Sequence, residues 1–160
     1  CGTASACSPR STTSARPGEG GSQGTLVRGD SGGHYDLDAL QALVEGDPAI
    51  GRLLLCNPQN PTGRVLDADQ LTRIVELALE HDTTIVSDEI HYDLTYPGAT
   101  HGLWHRAWGS VLTVTVTSGI KTFAMGGLRA SVTAFTNEDM LDRYRRMPEY
   151  LRRSPNPLGC

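Results

Sequence analysis

The sequence predicts an α/β fold, a mostly parallel sheet with helices on both faces. Three observations carry that expectation. Short apolar or β-branched runs alternate with segments whose apolar residues recur at helical spacing, which is the order of a βαβ protein. One of the runs, Leu53-Leu54-Leu55, is apolar without alternation, as in a sheet covered on both sides. Polar clusters at Asn60, Asp88 and residues 118–121 lie just past three of the runs, where the carboxyl ends of parallel strands bring ligand-binding groups together.

Taken in order, residues 1–24 contain no Leu, Ile, Val, Met or aromatic side chain. Such a segment buries too little apolar surface to offset its ordering entropy, so it is expected to be disordered or non-native. Residues 25–28 read as a short strand. Asp36 then caps a helix in which Leu37, Leu40, Leu43 and Val44 keep helical spacing, and Gly46 can end it. A strand is expected over residues 52–56, followed by a turn-rich stretch. Asp67 and Gln70 have the spacing of a capping box, opening a helix to about His81 with Leu71, Ile74, Val75 and Ala78 on one face. Residues 83–86 form a second buried strand, 96–110 a loop that leaves room for a short helix, and 111–117 a third strand rich in β-branched residues. A fourth strand is expected over 128–135, then a helix over 137–147 stopped by Pro148.

The formal charge of −4 supplies no basic field for nucleic acid or an anionic membrane surface. No apolar run approaches the roughly 20 residues that span a bilayer, and the first residues lack the order of a signal peptide. The expectation is a cytoplasmic protein. Cys1, Cys7, Cys56 and Cys160 lack metal-ligand spacing and are expected to be free thiols. His101 and His105 have the spacing of two metal-binding histidines, but Gly102 stands where a zinc protease needs glutamate. No metal is expected. Gly18, Gly20 and Gly24 lack the preceding strand that a dinucleotide loop requires, and the arginines at 143, 145 and 146 are sufficiently explained by a helix carboxyl end. Both termini read as cuts in a longer chain.

Thirteen of the fourteen basic residues are arginine; the remaining one is Lys121. Either composition drifted and left one surface lysine, or Lys121 is kept for chemistry that only a titratable amine performs, such as imine formation or proton abstraction near neutral pH.

Residues 57–63 spell NPQNPTG, 87–91 spell SDEIH and 118–129 spell SGIKTFAMGGLR. In wording, order and approximate spacing, the chain from about residue 25 to 159 resembles the middle of a fold-type I pyridoxal-phosphate enzyme of the aminotransferase class I/II superfamily. The resemblance implies a partial cofactor-binding large domain over residues 25–160, truncated before the small domain. It implies pyridoxal 5'-phosphate as cofactor, with Lys121 forming the imine and Asp88 holding the ring nitrogen protonated, since an opposite charge favours the protonated form. Asn60 would donate to the phenolic oxygen. Ser118 and Arg129 would bind the phosphate, to which a planar guanidinium is suited. Glu89 reads as a solvated bystander beside Asp88. The sequence departs from the family pattern at Ile120, where a hydroxyl residue usually precedes the lysine, and at Ala124, where Asn is frequent.

His91 stands where many aminotransferases place a cofactor-contacting tyrosine. The SDEIH wording resembles the cystathionine β-lyase branch, the MalY/PatB type, although a loop histidine without a catalytic role also satisfies the residue pattern. The implied activity is a carbon–sulfur β-lyase that cleaves a small sulfur amino acid to a thiol, pyruvate and ammonia, with Lys121 removing the α-proton. An aminotransferase is the alternative within the superfamily. From another class come a non-catalytic remnant and the sensor domain of a regulator. The resemblance further implies a homodimer, with no nucleic-acid or membrane partner.

Overall fold

The computed structural model describes residues 2–6, 24–27, 34–99 and 112–152. They form a six-stranded sheet with β1 (Gly2–Ala6), β2 (Gly24–Val27), β3 (Ile50–Cys56), β4 (Thr84–Asp88), β5 (Thr113–Thr117) and β6 (Val132–Phe135) in the order β2-β1-β3-β4-β5-β6. The first five strands are parallel and β6 runs antiparallel to β5. The helices are α1 (Leu37–Gly46), α2 (Ala68–Glu80), α3 (Glu138–Arg146) and α4 (Glu149–Arg152).

The local signals for α1 and α2 act as expected. Asp36 accepts from the Ala39 backbone N–H at 2.9 Å. Asp67 and Gln70 form a reciprocal capping box, at 2.8 and 3.0 Å, which satisfies two of the donors that a helix start leaves open. Both helices pack on one face of the sheet. Leu40 and Val44 from α1 and Leu71, Ile74, Val75, Leu77 and Ala78 from α2 meet Ile50, Leu53, Leu55 and Ile85 in a single apolar cluster, joined by Leu66.

Successive strand residues point to opposite sides. The register therefore places Leu54, Val86, Val114 and Phe135 in one row on the other face. There α3 covers the β6 end of the row, with the Tyr144 ring 5.3 Å from that of Phe135. Helices thus lie on both faces, but cover is uneven: Leu54 is 42% exposed, whereas the unbroken Leu53-Leu54-Leu55 run predicts burial on both sides. Among the described residues no helix is long and apolar enough to cross a membrane.

Three expectations are corrected. Gly2–Ala6, within the segment expected to be disordered, is a strand paired on both edges, and Gly24 belongs to β2. Two rows of main-chain hydrogen bonds order a strand that apolar content alone would not. Residue 1 and residues 7–23 lie outside the described residues, as do Cys7, Cys160, His101 and His105, while the Cys56 thiol donates to the Pro58 carbonyl at 3.5 Å. The fourth predicted strand begins only at Val132, because Gly126–Leu128 form a 3-10 turn and Arg129 takes a left-handed conformation at φ 52°. Lastly, β4 extends through Asp88, which makes that carboxylate the last rung of the strand.

Candidate functional site

Parallel strands end on the same edge, and the register sets Cys56 and Asp88, the last residues of β3 and β4, beside Val116, one residue before the end of β5. Main-chain bonds continue the alignment beyond the strands. The Asn57 N–H donates to the Asp88 carbonyl at 3.0 Å, and the Glu89 N–H donates to the Val116 carbonyl at 2.8 Å. A side-chain bond closes the set: the hydroxyl of Thr122, next to Lys121, donates to the Asp93 carboxylate, two residues past His91, at 3.3 Å. The three sequence motifs are therefore brought to one edge.

After β3 the chain turns sharply. The Gly63 N–H donates to the Gln59 carbonyl at 2.8 Å, and Gly63 holds φ 71°, a value that glycine adopts without Cβ strain. This turn presents Asn60 to solvent at the carboxyl edge. Asn57, which the sequence offered only as the first letter of a motif, is fully buried; its Oδ1 accepts from the Leu66 N–H at 2.9 Å. Its signal was its position, an amide directly after a buried strand.

Asp88 and Glu89 reverse the expected pattern. Asp88 is exposed, its Oδ1 accepting from the Ile90 N–H at 3.1 Å. Glu89, expected to be a solvated bystander, is only 2% exposed and accepts from the Ser87 hydroxyl at 2.9 Å. Pleat alternation is the cause: Ser87 points to the α1/α2 side, so Asp88 points away and Glu89 points back. His91 starts the 3-10 turn Tyr92–Leu94 and is half-buried, with a buried ring Nδ1 that has no hydrogen-bond partner among the described residues.

Beyond β5, Ser118 is buried. Its hydroxyl donates to the Ala130 carbonyl and accepts from the Ile120 N–H, the latter at 3.2 Å. Lys121 is exposed on a compact turn closed by Phe123 N–H to Gly119 carbonyl at 3.0 Å and Met125 N–H to Ile120 carbonyl at 2.8 Å. Ala124, in this turn, has φ 52°. Asn tolerates that region better than Ala, which gives a physical reason for the family's preference there. Arg129 is exposed and left-handed, a conformation that recurs at ligand clamps.

The edge thus presents a carboxylate, a primary amine, a guanidinium and an amide to solvent. Among the described residues no group of His, Cys, Asp and Glu side chains is placed to hold a metal ion.

A three-motif edge on a mixed, mostly parallel sheet of this order defines a class, and the family model described as "Aminotransferase class I and II" matches residues 20–151. The chain belongs to that family. It is 37% identical over 108 residues to cystathionine beta-lyase PatB of Bacillus subtilis, covering 66% of this chain and 28% of PatB. Against the cystathionine beta-lyase of Corynebacterium glutamicum it is 32% identical over 130 residues, covering 78% of this chain and 34% of the relative. Among solved structures, cystalysin from Treponema denticola, whose crystals contain a pyridoxal 5'-phosphate cofactor, superposes with a TM-score of 0.69 at 31% identity, covering 77% of this chain and 32% of cystalysin. The chain spans about a third of the length of these relatives.

Proposed function

We propose that the chain is part of a pyridoxal-phosphate-dependent carbon–sulfur β-lyase of the cystathionine β-lyase kind, acting on a small sulfur amino acid. The observation that carries this reading is the arrangement of β4 and β5: Asp88 is the exposed last rung of one strand, and Lys121 is exposed on the turn after its neighbour. The named lyases among the relatives support the same reaction class.

The donor set fits the cofactor. Asp88 has one oxygen engaged by the Ile90 N–H, which leaves its second oxygen to accept the cationic ring N–H that the cofactor would present. Arg129 offers a planar fork to the phosphate, and Asn60 offers an amide donor to the phenolic oxygen. His91, with a buried ring nitrogen that has no partner among the described residues, lies on the same loop as Asp88 and would face the cofactor. Ser118 joins the phosphate site only by turning its hydroxyl away from the Ala130 carbonyl. When bound, the cofactor's pyridinium ring accepts the electron pair released at the substrate's α-carbon. Lys121 would be the covalent anchor and the base that takes the α-proton, and Asp88 would hold the ring nitrogen's proton.

On this reading residues 25–160 are part of the cofactor-binding domain of a homodimeric, cytoplasmic enzyme, and substrate-selecting residues belong to the rest of the protein. Borohydride reduction of the complete protein with bound cofactor, followed by peptide mapping, is expected to label Lys121. Lys121→Ala should lower turnover by about 10²–10⁴-fold, the range for loss of a positioned acid–base group. Label on another residue would refute the assignment. Rapid amino transfer to a keto acid without pyruvate release from cystathionine would make the protein an aminotransferase instead.

A further inference from the structure

We infer that Glu89 is a positioning residue that aims Asp88 and registers it against the turn bearing Lys121. The inference rests on the cofactor reading above and adds a function for a carboxylate that reading does not use. A carboxylate 2% exposed is costly to bury, and burial of this kind is tolerated only when hydrogen bonds hold the group.

At least four hydrogen bonds from described residues converge on this one residue. Its side chain accepts from the Ser87 hydroxyl at 2.9 Å, across Asp88, so the residues on either side of Asp88 are tied together on the opposite side of the sheet. Its N–H donates to the Val116 carbonyl at 2.8 Å, extending the β4–β5 ladder one step beyond the strand end. Its carbonyl accepts from the Thr117 hydroxyl at 3.3 Å, one residue before Ser118, and from the Tyr92 N–H at 3.0 Å, one residue after His91.

Geometry then assigns the role. Ser87 and Glu89 share one side of the pleat, and the Ser87–Glu89 bond clamps that side, which leaves Asp88 a single direction in which to point. Glu89 also lines a cavity of about 420 Å³ together with Thr117, Ser118 and Gly119, the residues that lead into the lysine turn. Loss of the side chain removes the Ser87–Glu89 clamp while the main-chain bonds of Glu89 to Val116, Thr117 and Tyr92 remain, so Asp88 would lose a side-chain restraint on its aim toward the ring nitrogen. Asp88 touches the cofactor; Glu89 acts through it.

The test uses the complete protein with pyridoxal phosphate, comparing wild type with Glu89→Ala, Glu89→Gln and Ser87→Ala. The readouts are the visible absorbance maximum of the bound cofactor and its dissociation constant. Glu89→Ala is expected to move the maximum and weaken cofactor binding by about tenfold or more, the scale on which a small misplacement acts. Glu89→Gln keeps an acceptor for the Ser87 hydroxyl and should stay within about twofold of wild type. A soluble Glu89→Ala protein with wild-type absorbance and affinity overturns the inference. So does a Glu89→Gln protein as impaired as Glu89→Ala, because the charge rather than the positioning would then be at work. If Glu89→Ala does not fold, Ser87→Ala decides: a shifted maximum supports the clamp and a wild-type spectrum refutes it. A wild-type protein that binds no cofactor refutes the cofactor reading itself, and is told apart by needing no variant.

Discussion

The segment from α1 through β4 and the segment from β5 onward are built on different terms. In the first, every residue of the apolar cluster lies between Leu40 and Ile85, and two capped helices close over one side of β3 and β4. In the second, the described residues that reach burial are polar, Thr113, Thr115 and Ser118. Several of its large apolar side chains face outward: Phe123 is 67% and Val132 66% exposed, and Leu112, Met125 and Met147 are also exposed. The first segment folds against itself. The second carries Lys121 and Arg129 on a surface with little apolar cover from the described residues, and the chain spans about a third of its relatives' length. Apolar area removed from water is the main stabilising term in folding, so this division sets where stability resides and where it is borrowed.

The largest expected effect tests that division directly. Leu71→Ala or Ile85→Ala removes a side chain that is fully buried, and should cost about 2–5 kcal/mol in denaturant unfolding of the 160-residue chain. Val132→Ala in β6 should change stability by no more than about 0.5 kcal/mol. Comparable losses at the two sites would mean that β6 is covered in solution, by association of copies, and the contrast would fail.

A smaller effect comes from the helix caps. Asp67→Ala breaks the capping box of α2 and should lower global stability by about 1 kcal/mol, since α2 supplies much of the core. Asn137 accepts from the Met140 N–H at 3.2 Å as the cap of α3, a helix with no buried residue. Asn137→Ala should raise amide exchange within α3 while leaving the unfolding midpoint in place. A drop in midpoint equal to that of Asp67→Ala would show α3 to be integral to the cooperative unit.

The smallest effect sharpens the comparison within the second segment. Ala124 holds a positive φ, which costs an L-residue with a Cβ roughly 1–2 kcal/mol relative to the usual helical region. Ala124→Gly should relieve part of this and slow amide exchange in the Lys121 turn, with little change in global unfolding. Faster exchange in the turn would show that glycine's added freedom outweighs the relief.

By itself the sequence determined what depends on near neighbours along the chain. The caps at Asp36 and Asp67, the apolar faces of α1 and α2, and the placing of three motifs after three strands are all written in spacings of a few residues, which is why each was legible, whereas the pattern puts Asn137 inside its helix and the structure makes it the cap. Family membership was legible for the same reason, through NPQNPTG, SDEIH and SGIKTFAMGGLR. Only the tertiary structure decided the rest. Gly2–Ala6 is a strand because β2 and β3 flank it, and neither partner is visible in its own residues. The antiparallel course of β6 follows from a connection that contains turns but no crossover helix, since parallel pairing generally needs such a crossover. The opposite fates of Asp88 and Glu89 depend on which side of β4 lies beneath α1 and α2, a fact set by packing across the sheet. One residue along a strand reverses the side on which a carboxylate lies, so adjacent acids that look alike in sequence take opposite environments once a face is covered.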